Sequence, residues 1–472
     1  MKLKRNLISL VLALAVGSAS AETIRVAIGT QDTTINCATG GLLIRELNLL
    51  EKYLPRDGKY KDAKYEIVWK NFTSGPPLTN EMVADKLDIG SMADFPGSLN
   101  AAAFKRAGKK SIFVTALSGS PQGSGNGLVV PSDSPINSLA ELKGKSVSVP
   151  FGSHAHGMLL RALKANGMDS EKDVNLVSQS PEVGGTALQS HKIDAHANFV
   201  PFADLFPYRG FARKIFDGSE ANAPTFHGSL VNAEYAQKYP EVVVAFLRAA
   251  IEADRLLAAE PEKYSELIAK VTGIEAEVNY LFHGPLGLQT RDFTFKPEYR
   301  TALKTAIETL ALLKRNDVPL TADEVIDDSY LREAFKQSGL DYDKQLKSYG
   351  RLPLAAKDTQ SGAVIKDFNR VTQVWLEGEP KVRNYSSPES ALFAVREAEK
   401  AGKKVRVVFV HDRQTGLKLL ANLAWFARSP SGQIDAFLEK DAAEKHALKN
   451  GGTVVNFAST FASSTPKLAA AQ

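Results

Sequence analysis

The stretch Val147-Ser148-Val149-Pro150-Phe151-Gly152-Ser153-His154-Ala155-His156-Gly157 decides how this chain is read. A short apolar strand enters a turn, and Met158, Leu159, Leu160 and Leu163 then recur at helical spacing. Ser153 stands where a side-chain oxygen caps a helix, and Gly152 permits close backbone approach. The first turn of a helix holds N–H groups without internal partners, at the positive end of its dipole. Such a junction attracts a carboxylate, sulfonate, nitrate or phosphate without needing a full positive charge. His154 and His156 lie two apart and so point to nearly opposite helix faces, which gives no metal site.

The same alternation of strand and helix extends in both directions. Toward the N-terminus, strands are predicted at residues 23–28, 65–72, 88–92 and 111–117, with helices at 42–53, 78–86 and 95–106. A glycine-rich crossing, Ser118 to Gly127, leads to a second set with strands at 128–131, 145–149, 174–178 and 195–198. Helices are expected to begin near Ser138, His154, Gly184 and Pro201. Alternation at this pitch implies α/β lobes built on parallel sheets, with ligands at the carboxyl ends of the strands. Residues 233–350 carry helix periodicity and close back over the lobes. A proline- and alanine-containing connector, 351–363, then marks a domain boundary. Beyond it, residues 364–460 read as a small α+β domain, and 461–472 as a tail without fixed structure.

Compartment and composition narrow the ligand. Lys2, Lys4 and Arg5 precede the apolar run Leu7 to Val16, and Ala19-Ser20-Ala21 supplies small residues before Glu22. This order reads as a secretory signal peptide over 1–21, which makes the mature protein periplasmic. The formal net charge of +5 over 472 residues includes those three leader cations, so a nucleic-acid partner is not expected. Cys37 is the sole cysteine, so no internal disulfide is possible, and it reads as a small buried hydrophobe. No Gly-x-Ser-x-Gly, His-Glu-x-x-His or cysteine-rich motif supports catalysis, and neither a catalytic residue nor a cofactor is expected.

Residues 23 to about 310 resemble the periplasmic solute-binding proteins of nitrate, taurine and aliphatic sulfonate ABC importers. The resemblance is carried by Gly75-Pro76-Pro77, by Lys86-Leu87-Asp88-Ile89-Gly90 running into Ala93-Asp94-Phe95-Pro96, and by Ile136-Asn137-Ser138-Leu139-Ala140-Glu141-Leu142-Lys143-Gly144-Lys145. It continues through Gly152-Ser153-His154-Ala155-His156 and Lys192-Ile193-Asp194-Ala195. The resemblance implies a two-lobed type II periplasmic-binding-protein fold, monomeric, that closes on a small anionic solute and delivers it to an inner-membrane ABC permease. Lobe 1 would span about 22–117 with return segments after 225, and lobe 2 about 118–224.

Facing lobes would place Gln31, Asp32, Gly75, Pro76, Ala93, Asp94 and Phe95 on one wall of the cleft. Gly152, Ser153, His154, Ala155, Glu182, Asn198 and Phe199 would form the other. Ser153 and the amides of His154 and Ala155 are the expected anion donors, with Asn198 a neutral partner. Glu182 suits an amino group, as a taurine-like ligand would offer. Arginine is scarce at these strand ends, which favours neutral donors over a guanidinium clamp, with Arg45, Arg161 and Arg213 left to approach from elsewhere.

The C-terminal module resembles the accessory protein of nitrous oxide reductase, a copper-handling family. Tyr385-Ser386-Ser387-Pro388-Glu389-Ser390-Ala391, Val408-Phe409-Val410-His411-Asp412 and Gly451-Gly452-Thr453-Val454-Val455 carry that resemblance. The alternative function it implies is exported metal handling. Cu(I) prefers sulfur, yet the module has neither cysteine nor methionine, and only His411 and His446 as imidazoles. A fold retained for docking or stability is therefore expected.

Overall fold

The structure, a computed structural model, describes residues 22–120, 122–221, 224–348 and 353–461. The leader expected at 1–21 lies outside the described residues, as does the tail from 462 onward. Among the described residues no helix is long and apolar enough to cross a membrane.

Ten strands build two five-stranded sheets of the same design. They are β1 (Thr23–Thr30), β2 (Lys64–Asn71), β3 (Ile89–Ala93), β4 (Ser111–Ser120), β5 (Gly127–Pro131), β6 (Ser146–Val149), β7 (Asn175–Ser178), β8 (Ala195–Asn198), β9 (Ala212–Asp217) and β10 (Thr225–Asn232). The lobe 1 sheet runs β2-β1-β3-β10-β4 and the lobe 2 sheet β7-β6-β8-β5-β9. In each, three strands joined by helical crossovers are parallel. The fourth position goes to the strand that follows a passage between lobes: β5 after the first passage and β10 after the second. Both run antiparallel to their neighbours. The sheets are therefore mixed rather than parallel, because the chain enters each lobe against the direction of its other strands.

Local departures from expectation have local causes. The helix expected over 42–53 is two pieces, Leu42–Glu46 and Leu49–Tyr53, split where Asn48 takes a φ of +51°. The helix expected near Ser138 is a single 3-10 turn, Leu139–Leu142. The helix expected near Gly184 begins at Pro181 and runs through Gly184 and Gly185, where Cβ atoms would collide with the His196 and Phe206 rings. β9 and β10 escape a reading of apolar runs. Every residue of β10 is buried, yet five of the eight in its sequence, Thr-Phe-His-Gly-Ser-Leu-Val-Asn, are polar or glycine.

The C-terminal module is a duplicated unit. β11 (Thr372–Leu376), β12 (Arg383–Tyr385), the helix Pro388–Lys400 and β13 (Val405–His411) are followed by β14 (Lys418–Leu420). β15 (Trp425–Arg428), β16 (Ile434–Phe437), the helix Lys440–Lys449 and β17 (Thr453–Val455) repeat the order. The sheets run β12-β11-β13-β14 and β16-β15-β17, so both halves share one strand arrangement.

The module is packed against the helices that follow lobe 2. Tyr280 meets Trp375 and Phe409 with ring centroids 5.5 Å apart in each case. Trp375, Val382, Val407, Phe409, Leu417 and Leu420 join the core that also fills the two lobes. The described part of the connector is packed as well. Leu354 lies in a cluster with Leu286, Ile365 and Val371, and the Asp358 carboxylate accepts hydrogen bonds from Ser361 and Ser386. Phe461, placed in the tail by sequence, packs its ring 5.7 Å from Phe426.

Candidate functional site

The two lobes meet where their strand ends face one another. β3 ends at Ala93 and passes directly into the helix Asp94–Arg106; β6 passes through the turn 150–152 into the helix His154–Ala165. Asp94 Oδ1 and His154 Nδ1, from opposite lobes, lie 2.7 Å apart with their side chains 2% and 6% exposed. Asp94 Oδ1 also accepts from the Phe95 amide at 2.7 Å, and Thr225 Oγ1 sits 3.3 Å from the same imidazole nitrogen. Burial pushes the Asp94 carboxyl up, but His154 and then Arg161 outweigh it and hold it below the usual range.

Glycines let the lobes close this far. A Cβ on Gly157 would lie 2.9 Å from the Phe95 ring, and one on Gly152 would lie 2.8 Å from Pro76. Gly152 also carries a φ of +76°, a conformation that favours glycine. The lobes thus touch along a seam instead of enclosing an open cleft at these points. A groove of about 770 Å³ lined by Tyr53, Arg56, Arg248 and Tyr330 lies elsewhere, between lobe 1 and the later helices Pro240–Ala259 and Ser329–Gln337.

The first turn of the His154 helix has assigned some of its donors and kept others free. Ser153 Oγ accepts from the His156 amide at 3.3 Å. The Gly152 amide donates to His156 Nδ1 at 3.1 Å, so that ring is the neutral tautomer, and burial lowers it to about 4. The ring stacks on Phe151 at 4.7 Å. His154 and His156 therefore diverge, as two helix positions two apart must. Among the described residues no partner is found for the amides of His154 and Ala155, which remain available to an anion. Replacing Ser153 with alanine is expected to cost about 1 kcal/mol of stability through the lost cap, measurable by urea unfolding.

A second group of polar side chains continues the seam toward the interlobe crossings. Asn36 Nδ2 lies 3.5 Å from His227 Nδ1, Ser118 Oγ donates to Asn36 O at 3.1 Å, and His283 Nε2 lies 3.0 Å from Ile35 O. Burial lowers His227 to about 3, with His154 adding to the effect. Burial, then Arg291, lowers His283 to about 3. Both act as neutral hydrogen-bonding groups. Thr34 Oγ1, Asn36 Oδ1, Asn126 Oδ1 and Gln289 Oε1 are buried without a protein partner. Each such oxygen costs about 1–3 kcal/mol when left unsatisfied, so these four, on segments near the crossings, are groups open to a bound molecule.

Several residues expected on the walls are engaged elsewhere. Asp32 pairs with Arg45 at 3.0 Å and Gln31 Nε2 donates to Ser91 O at 2.9 Å, both within lobe 1. Gly75 packs on Pro96, where a Cβ would lie 2.5 Å away. Glu182 is exposed in the first turn of its helix, so it does not bring a buried carboxylate to the seam. Asn198 is consumed inside lobe 2, donating to His196 Nε2 at 2.8 Å and accepting from the Phe199 amide at 2.9 Å. Phe199 packs edge-on against Phe202 at 5.9 Å, as a core residue does. Arg213 donates to Ser134 O at 2.6 Å, far along lobe 2, whereas Arg161 reaches Thr309 Oγ1 at 3.3 Å and stays within the field of Asp94.

Thr34, Asn36, Asn126, Thr225, His227, His283 and Gln289 were not legible as site residues. The signal that existed was the run of polar residues inside the fully buried β10. Cys37 is 2% exposed, and burial, then Asp32, raises its thiol. In the C-terminal module, His411 Nδ1 lies 2.7 Å from Val371 O and His446 Nε2 lies 3.2 Å from Asp435. Among the described residues no group of three or more His, Cys, Asp or Glu side chains is placed to hold a metal ion.

Comparison with known proteins agrees with this architecture. The model of the family described as NMT1/THI5 like matches residues 81–264. A putative aliphatic sulfonates-binding protein of Escherichia coli K12 is 30% identical over 288 residues, which cover 60% of this chain and 84% of that protein. The taurine-binding periplasmic protein of the same organism is 29% identical over 279 residues, 56% of this chain and 82% of that one. The crystal structure of the periplasmic aliphatic sulphonate binding protein of E. coli superposes with a TM-score of 0.50 at 27% identity. It covers 67% of this chain and all of its own.

Proposed function

The chain belongs to the NMT1/THI5-like family, homologous to periplasmic binding proteins for aliphatic sulfonates and taurine, and from that premise we propose that it is the periplasmic substrate-binding component of an ABC importer. It captures a small sulfonate-like anion between its lobes and presents the closed form to an inner-membrane permease. It catalyses no reaction in this reading.

The observation that carries the proposal is the buried interlobe seam. Free amides at the start of the His154 helix and the hydroxyls of Ser153 and Thr34 offer neutral donors to an anion, while the unpartnered carbonyl oxygens of Asn36, Asn126 and Gln289 accept from a donor group on the ligand. The N–H groups of these three amides are given to His227 Nδ1, Gly123 O and Ser124 O, so their carbonyls suit the amino group of a taurine-like ligand. Closure removes the ligand from water and strengthens each of these contacts. The closed population then grows only by the ligand's differential affinity for it.

Calorimetry on protein stripped of bound solute, against taurine, ethanesulfonate, longer alkanesulfonates, nitrate and small carboxylates, tests the reading. One-site, saturable binding of at least one sulfonate is the expected result. Neither heat nor a thermal shift with any member of the panel would overturn it.

A further inference from the structure

The core shared by the C-terminal module and the lobes contains an unusual group. Lys418, at the start of β14, is fully buried, and a lysine is among the residues least often found so. Its ammonium lies between two ring faces, 4.1 Å from the centroid of Tyr280 and 4.5 Å from that of Phe409. It donates to the carbonyls of Tyr280 at 3.4 Å and Pro285 at 3.3 Å. Among the described residues no carboxylate lies within ion-pair distance of it, and burial drives it well below the lysine range against a weaker pull from Glu262. A methionine of similar length would fill the same space without the desolvation penalty, so what the lysine adds is its hydrogen bonds to the two carbonyls.

What it holds is a loop that reaches both lobes. Tyr280 is in the last turn of the helix Ala276–His283, and Pro285 is in the segment that follows. Between and beyond them, His283 reaches Ile35 O in lobe 1, and Gln289 Nε2 donates to Ser124 O at 3.3 Å in the first interlobe crossing. Thr290 bridges Gly119 at the end of β4. The corner before this helix is tied to lobe 2 as well, through Arg209 to Glu275 at 2.8 Å. On the module side, Val382 N donates to Glu262 at 3.2 Å, and Arg406 pairs with Glu266 and Glu277. The module thus grips one segment that carries a seam imidazole and a seam amide.

We infer that Lys418 is a positioning residue for solute capture: through the carbonyls of Tyr280 and Pro285 it holds residues 283–290 in the arrangement that brings His283 and Gln289 to the seam. The inference rests on the solute-binding reading above. A loop left unheld samples other arrangements, and the apparent affinity falls by the fraction of molecules that remain competent. The C-terminal module, on this account, is part of the binding apparatus.

The test is Lys418→Met in the full chain, with the exposed Lys440→Met as control. Amide exchange is followed at Gly287, Leu288 and Gln289, which donate to Gly284, Leu281 and Phe282. Calorimetry uses taurine and ethanesulfonate as probes. The expected result is a protein no less heat-stable than the parent, with about tenfold faster exchange confined to those amides and about tenfold weaker probe binding. Unchanged exchange and affinity, or faster exchange spread over the whole module, overturns the inference and leaves Lys418 a docking pin. Should Lys418→Met not fold, Arg406→Gln releases the same helix from its other side. It is expected to act in the same direction, and no change in loop exchange overturns the inference. If the parent protein binds neither probe, whichever solute of the wider panel binds replaces them; if none binds, the solute reading fails, while loop exchange alone still decides whether Lys418 positions the loop.

Discussion

Replacing Gly157 with leucine is expected to weaken solute capture about 5- to 150-fold while both lobes stay folded. Gly157 lies in the first turns of the His154 helix, and a Cβ there would stand 2.9 to 3.1 Å from three atoms of the Phe95 ring. Phe95 belongs to the other lobe, is fully buried, and packs with Ala102, Ala306 and Leu310, so the ring has nowhere to retreat. The added side chain therefore opposes closure and not the fold of either lobe. Overpacking of this kind costs about 1–3 kcal/mol. A penalty confined to the closed form weakens apparent binding by the same factor, about 5- to 150-fold. Titration with whichever sulfonate binds the parent protein gives the affinity, and solution scattering gives the lobe separation with solute present. A variant that binds and closes as the parent does would show that Phe95 and Gly157 do not meet in the bound state.

Acidification from pH 7 toward pH 4.5 is expected to destabilise the protein steeply. Burial, as the largest cause in each, lowers His156 and His196 to about 4 and His227 and His283 to about 3. An imidazole in the unfolded chain titrates near 6.5. Between that value and the folded one, the unfolded state binds protons that the native state refuses, so stability rises with pH across this window. The contribution is complete above about pH 6.5 and is lost as pH falls toward 3 to 4. At pH 5 the loss is about 1–2 kcal/mol per imidazole, a large fraction of a domain's stability when several act together. Asp94, held below the carboxylate range, adds its own loss only at still lower pH. Melting temperatures across this range provide the measurement, with His227→Asn and His283→Gln each expected to flatten the slope. A melting temperature independent of pH between 7.5 and 4.5 would mean that these rings are not neutral and buried.

Legibility followed sequence distance. The strand, turn and helix at 147–165 could be read because apolar spacing, a capping serine and a glycine are all local, and the structure has Ser153 capping the helix at His154. Helix, glycine turn and strand recur at 390–408 and 441–455 in the same local order, and the structure makes them corresponding parts of a duplicated unit. Asp94 was expected at a strand end, but a cap and a cross-lobe partner share one motif; the carboxylate serves both its own helix and His154. Asn198 and Glu182 were chosen by the same positional logic. Their fates were decided by a neighbouring imidazole and by solvent, which spacing does not encode.

The amino-acid sequence by itself determined two α/β lobes, an expected export leader, an anion-ready helix start and an added C-terminal module, because each rests on periodicity or residue type within a short window. Only the tertiary structure decided which residues face each other across the lobes. Asp94 and His154 are 60 residues apart, and His154 and Thr225 are 71 apart. Only the tertiary structure made the C-terminal module part of the core, through a lysine whose partners lie 138 and 133 residues earlier. The physical reason is that closure and docking bury polar groups in pairs drawn from distant segments. A polar residue in a sequence carries no sign of whether water or such a partner will satisfy it.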